Sequence, residues 1–432
     1  MVSLVVPARL EKSIAEENVA PSPPSPTPEA TDGVMDGGFH AWSTAMGGCI
    51  TVATTFGYAN SFGVYQDFYT RSHTASASAI SWIGSTQLFC LLAMALPAGK
   101  LLDMGYFRLT TMVGTFVYVF SLFMVSICDP QKYYQLYLAQ GLGVGIGSGL
   151  LYIPCLAVQS HHWRARRGLA MGIAATGTSI GGIIFPIMLN ELFKGSMGFA
   201  WGVRVSAFVV LAMLLAANAL MSAKANFNAK KVQPDLKGIM TDIPYLISIF
   251  AVFVMDWGVF FPYFYLQLFA VVHGVDSKTA FYSIAILNAA ALPGRIFPNM
   301  LADHVGPYNV AIPCVLFCAV LIYAMLAIKT VGGVIGFGIL YGFLSGAILS
   351  LAAPAFATLS RHPSEVGVRF GIAFSLTAFG ALIGTPVTGA LLGPHFDWNK
   401  PIIFSATSTA AGVVLLLVTR QMLVKRRSTE LI

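Results

Sequence analysis

Twelve stretches of roughly twenty apolar residues, parted by short polar breaks, constrain this chain more than any motif in it. A helix that crosses the hydrocarbon core of a bilayer needs about 20 apolar residues at about 1.5 Å each. Measured that way, spans are predicted near 43–66, 80–102, 108–128, 134–159, 168–190, 201–222, 243–269, 279–301, 308–328, 332–357, 368–392 and 401–420. A soluble domain carries about 25% charged residues. This chain has 10%, against 56% hydrophobic residues, so there is too little charge to cover a soluble surface. The lipid bilayer is therefore the expected partner of most of the chain. A disordered chain, a disulfide scaffold and a nucleic-acid-binding domain are excluded for the bulk of it. The predicted class is an all-α membrane protein with 12 transmembrane helices.

Residues 1–38 differ from the rest. Six prolines, six carboxylates and two basic residues predict a disordered tail with too little apolar surface to offset ordering entropy. The tail has no apolar core of a secretory signal, nor the Arg-rich, acid-poor composition of a transit peptide. The longest connection, 223–242, holds Lys224, Lys230, Lys231 and Lys237. With the N-terminus inside, inner loops, helix ends and the C-terminus hold 16 basic residues, besides Arg9 and Lys12 in the tail; the outer side holds 7. The positive-inside rule then places both termini in the cytosol. The six cysteines, including Cys314 and Cys318 on one helix face, read as small packing residues, with no metal expected.

Two halves of the chain resemble each other at an offset near 200 residues. Gly99-x3-Asp103-x-Gly105-x2-Arg108 follows span two, and Asn299-x3-Asp303-x2-Gly306-x2-Asn309 follows span eight. Arg166-Arg167-Gly168-Leu169-Ala170 opens span five. Arg369-Phe370-Gly371-Ile372-Ala373 opens span eleven, with Gly380 and Gly384 matched to Gly177 and Gly181. Two six-helix pseudo-symmetric bundles, 39–222 and 243–420, joined by the cytosolic linker 223–242 and followed by a tail at 421–432, imply a carrier whose halves rock about a midplane site.

The Gly99…Asp103…Gly105…Arg108 loop resembles the inner-gate motif of the major facilitator superfamily. More narrowly, the chain resembles fungal members of the monocarboxylate-porter family over about residues 36–425. The matching pieces are Asp36-Gly37-Gly38-Phe39-His40-Ala41-Trp42, Gly57-Tyr58-Ala59-Asn60-Ser61-Phe62-Gly63-Val64-Tyr65-Gln66, the alternating Gly141 to Gly149 run, and Trp163-Arg164-x-Arg166-Arg167-Gly168-Leu169-Ala170-x-Gly172. The resemblance implies the two-bundle fold and an inner gate of Gly99, Asp103, Arg108 and Asp303. It also implies that an arginine in span eight, here Arg295, meets an anionic substrate, and that spans one, four, seven and ten line its path. Candidates on those spans are Tyr58, Asn60, Tyr152, Tyr263, Tyr265, Gln267 and Tyr341, with Asn288 near Arg295 on span eight.

The glycine run lacks dinucleotide spacing and follows no strand; its two faces, Gly141/Gly145/Gly149 and Gly143/Gly147, predict close helix approach. Asp256 is the one carboxylate well inside a span. Such a group costs about 2.5–3.5 kcal/mol to insert, which makes it a functional candidate by default, here for proton coupling. A guanidinium at Arg295 suits a carboxylate because it offers two parallel hydrogen bonds. Arg204 is expected to snorkel to the outer interface. His161 and His162 are expected to be solvated in a basic loop.

Animal monocarboxylate porters carry a lysine in span one, near Phe62 here, and an aspartate one turn before the arginine, where this chain has Ala291. The missing pair and the aromatic candidates favour export of a secondary metabolite, a small organic molecule. The alternative is proton-coupled uptake of a monocarboxylate or vitamin-like anion. A non-transporting nutrient sensor is the competing class, disfavoured by the short segments outside the spans. No hydrolase, metalloprotease or nucleotide-binding motif is present, so no enzyme and no cofactor are expected. A monomer in the plasma membrane is the family default.

Overall fold

The computed structural model describes residues 37–75, 77–223, 236–360, 365–392 and 397–432. The predicted tail up to Asp36, the linker positions Lys224, Lys230 and Lys231, and Arg361 lie outside the described residues. Among the described residues all regular structure is helical. Lipid offers backbone groups no water to bond, and a helix satisfies them within one segment.

Eleven helices are long and apolar enough to cross a membrane, and they correspond to predicted spans two to twelve. Span two consists of Ala77–Ala93 and Ala95–Asp103, and span three of Phe107–Ile127. Span four is a composite from Tyr133 to His161 with a π-helical stretch at Tyr137–Val144. Spans five and six are Arg167–Lys194 and Gly198–Leu220. Span seven divides into Ile243–Val259 and Phe261–Val272, and span eight is Ser277–Val305. Spans nine to twelve are Pro307–Ala324, Val331–Thr358, Val366–Leu392 and Asn399–Arg427.

Span one is the twelfth, and it is interrupted. It runs as Phe39–Val52, passes through a π-helical segment at Ala53–Gly57, turns at Asn60 and Ser61, and resumes as Phe62–Arg71. The breaks in spans one and seven sit about 200 residues apart. A continuous apolar stretch did not announce either of them.

Glycines set the closest helix contacts. Gly145 and Gly149 lie against Cys90 and Met94 of span two, while Gly147 lies against the backbone of Tyr118 in span three. Two faces of one helix thus approach two neighbours, and a side chain at either would meet backbone or Cβ atoms. Outward-facing positions carry large apolar side chains such as Phe116, 70% exposed, and Phe208, 58% exposed. In water such a surface would be a liability; against acyl chains it is the expected one.

Packing also fixes the register of the repeat. Gly168 meets Asp303 and Asn299, and Gly367 meets Asp103 and Gly99. Gly172 meets Arg295, and Gly371 meets Ala95. Spans five and eleven are therefore related by 199 residues. The Arg-x-Gly sequence match, which pairs Gly168 with Gly371, is about one helical turn out of step.

Candidate functional site

At the end of the body where spans five and eleven begin, two carboxylates reach across between the repeats. Asp303, at the end of span eight, accepts from the amides of Gly168 at 2.7 Å and Leu169 at 2.9 Å. Asp103, at the end of span two, accepts from the Val368 amide at 2.8 Å. Each carboxylate satisfies amides left open by the first turn of a helix and faces the positive end of its dipole. Gly99 lies directly on the backbone of Gly367. Ser375 extends this seam by donating to the Ala93 carbonyl at 2.8 Å and accepting from the Leu96 amide at 3.2 Å. Arg108, by contrast, donates to the carbonyl of Asn218 within its own repeat.

Midway along the spans lies a cavity of about 40 Å³. Its walls come from Phe56, Leu92, Tyr152 and Thr178 on spans one, two, four and five. The other repeat supplies Asp256, Arg295, Ala352 and Phe374 on spans seven, eight, ten and eleven. A site that accepts a drug-sized solute measures about 300–1,000 Å³, so the form described here is closed around little more than water-sized space.

The cavity holds an arginine and a carboxyl that do not pair with each other. Arg295 is 3% exposed and Asp256 is 6% exposed. Arg295 donates from Nε to Ser179 Oγ at 3.1 Å, across the seam between spans eight and five. Its Nη2 is buried with no hydrogen-bond partner among the described residues. Asp256 has no ion-pair partner among them either. Unpaired charge in an apolar setting is expensive and marks sites that act on ions or polar groups. The chemistry on offer is one anion-binding edge, one carboxyl and surrounding aromatic and aliphatic walls.

Other sequence candidates are distributed around this centre. Tyr263 stands beside Arg295 and hydrogen-bonds Ser345 at 3.0 Å. Asn60 and Asn288 converge on Gly182, next along the seam, and the Asn288 Oδ1 is unpartnered. Tyr58 is buried within the first repeat, bonded to Tyr65 at 2.5 Å and Ser206 at 3.0 Å. Tyr341 is buried against the Val259 carbonyl at 2.6 Å. Tyr265 packs by Gly389, and Gln267 is exposed. Phe56, Thr178, Phe374 and Thr377 line the cavity without having been singled out by sequence. Thr178 and Thr377 are 199 residues apart, so the correct repeat register was the signal that could have found them.

A buried ion cluster behind the turn capped by Asp103 was likewise hidden. Arg369, counted as a loop cation, is 0% exposed. It pairs with Asp242 and Glu365, each at 3.2 Å, and Arg426 pairs with Asp242 at 3.0 Å. His162 is not solvated as expected: it is buried and its Nε2 lies 2.6 Å from the Ser222 carbonyl, because the loop before span five folds onto the end of span six. Arg204 is partly buried, lies over the Trp201 ring and donates to Ser126 at 3.3 Å.

Two six-span repeats around a buried cavity lined by an arginine and a carboxyl, tied together at one end, define a polytopic membrane carrier. The chain belongs to the major facilitator superfamily, whose profile matches residues 47–331. It is 36% identical over 408 residues to the aspyridones efflux protein apdF of Emericella nidulans, covering 94% of this chain and 82% of that protein. It is 38% identical over 386 residues to the transporter dbaD of the same organism, covering 88% and 86%. It is 34% identical over 412 residues to the agnestins efflux protein AgnL12 of Paecilomyces divaricatus, covering 94% and 92%. Among solved structures it is similar to the superfamily transporter FucP in the outward conformation. The TM-score is 0.68 at 16% identity, over 87% of this chain and 98% of that one. The chain is thus a multi-pass transporter of a small molecule and not an enzyme.

Proposed function

We propose that this transporter exports an apolar organic metabolite bearing an acidic group. One observation carries the reading: Arg295 and Asp256, unpaired, line one closed cavity whose other walls are largely apolar. Two of the relatives named above are efflux proteins, which supports the outward direction. Arg295 receives the anion, Tyr152 and Phe56 receive the apolar body, and Asp256 carries a proton that couples transport to the pH gradient. The spans before and after the linker move as two bundles. Asp103 and Asp303 close the cytosolic side, and both termini face the cytosol of a monomer in the plasma membrane.

Vesicle transport assays test these roles. Arg295→Lys keeps charge but loses the planar fork, so KM for the metabolite is expected to rise about tenfold, the size of a charged hydrogen bond. Asp256→Asn is expected to abolish pH dependence. Unchanged kinetics in the first variant, or retained pH dependence in the second, removes the corresponding residue from the mechanism.

A further inference from the structure

The seam between spans five and eight contains a feature that the other seam lacks. Along span five, Gly168 and Gly172 meet span eight through their backbone, the Gly168 amide donating to Asp303. Ser179 is the one side chain of span five, among the described residues, that hydrogen-bonds a side chain of span eight. At the other seam the positions equivalent to Arg295 and Ser179 are Ala95 on span two and Ala378 on span eleven, both fully buried. The Arg–Ser pair is therefore a departure from the repeat, placed at the cavity and shared between the halves.

The geometry of the guanidinium gives that departure a consequence. Nε and Nη2 form one edge of the group, and a carboxylate that docks on this edge accepts from both. Ser179 occupies Nε, whereas Nη2 is buried and free. With the gate closed, an anion on that edge is left a single bond. When spans five and eight part, Ser179 leaves with the opposite half and the whole edge becomes available.

We propose that Ser179 is a positioning residue that sets state-dependent affinity for the acidic group. It leaves Arg295 free to take an anion by two bonds when the gate is open, and it displaces one of those bonds as the gate closes. Loading is thereby favoured from the gate side and release is favoured afterwards. This rests on the reading of Arg295 as the anion site.

The test uses the purified full chain and two probes of one shape, 2-naphthoate and the neutral 2-naphthamide. Ser179→Ala is expected to bind naphthoate about tenfold more tightly, the size of one hydrogen bond to a charged group, with naphthamide unchanged. In vesicles the same variant is expected to lower both KM and turnover for naphthoate. Ser179→Thr, which keeps the hydroxyl, returns both constants toward wild type. In an Arg295→Gln background the Ser179→Ala change is expected to have no further effect. Weaker or unchanged naphthoate binding by Ser179→Ala overturns the proposal while leaving the anion site standing. Equal affinity of wild type for naphthoate and naphthamide overturns the anion site itself, and with it the role of Ser179.

Discussion

The two turns capped by Asp303 and Asp103, at the ends of spans eight and two, are held from behind by different chemistry. In the first repeat, the turn that meets Asp303 is followed by Ala170, which packs with Trp163 and Ala41 in a small apolar cluster, and Trp163 sits edge-on to Trp42 at 4.9 Å. In the second repeat, the turn that meets Asp103 is followed 199 residues on by Arg369, buried between Asp242 and Glu365 with the Tyr245 ring 5.0 Å from its guanidinium. The caps are alike because both use the same opportunity, open amides at a helix start. The anchors have diverged. An apolar plug tolerates the loss of a contact by degrees, whereas a buried ion cluster fails sharply, because removing one partner strands the others without water.

The largest expected effect follows from that contrast. Arg369→Ala leaves Asp242 and Glu365 short of a cation in a buried site and is expected to cost about 3–5 kcal/mol. A lowered Tm of the purified protein reads it directly. Replacing Arg369, Asp242 and Glu365 together by leucine is expected to recover most of the loss, which would make the second anchor resemble the first. If the triple variant is no more stable than Arg369→Ala, the cluster supplies something that apolar packing cannot.

Next in size are the caps themselves. Asp103→Ala and Asp303→Ala are each expected to cost about 0.5–2 kcal/mol of gate closure, the range for losing a capping side chain. Maleimide labelling of a cysteine placed at Leu169 or Val368 would report the open population. The two losses are expected to add, since the seams share no partner; strong coupling would mean that the gates do not open as separate contacts. Arg108 gives the smallest effect. Its bond to the Asn218 carbonyl stays within one repeat, so Arg108→Ala is expected to shift labelling by under about 0.5 kcal/mol. A shift as large as that of Asp103→Ala would place Arg108 in the gate after all.

How far the sequence reaches depends on which force is at work. Span positions were legible because lipid imposes length and hydropathy on every crossing helix. The interruptions at Asn60–Ser61 and Phe260 were harder to see, since hydropathy carries through both; Pro262, in the first turn of the helix that resumes at Phe261, was the local signal for the second. Arg295 and Asp256 stood out because charge in lipid is costly, and both line the cavity. The tyrosines scattered because an aromatic ring in a span packs as well against a core as against a solute. Tyr152 faces the cavity, whereas Tyr58 and Tyr341 are bonded inside their own repeats. Arg369 was missed for a related reason. It lies in the first turn of its helix, where a cation ordinarily meets water, and while Glu365 is four residues away, Asp242 is contributed by a segment distant in sequence.

Outward carriage of an acidic metabolite by the Arg295 cavity can be read from paired metabolite profiles of cells and medium. The strains are one lacking this protein, and the same strain restored with wild type or with Arg295→Gln. The account predicts a compound with an apolar body and an acidic group that is retained in the cells lacking the protein and released to the medium by wild type. Arg295→Gln is expected to leave it retained. A compound left in the medium of the deficient strain and drawn into the restored one would contradict export, and equal release by wild type and Arg295→Gln would contradict the cavity as the site of transport.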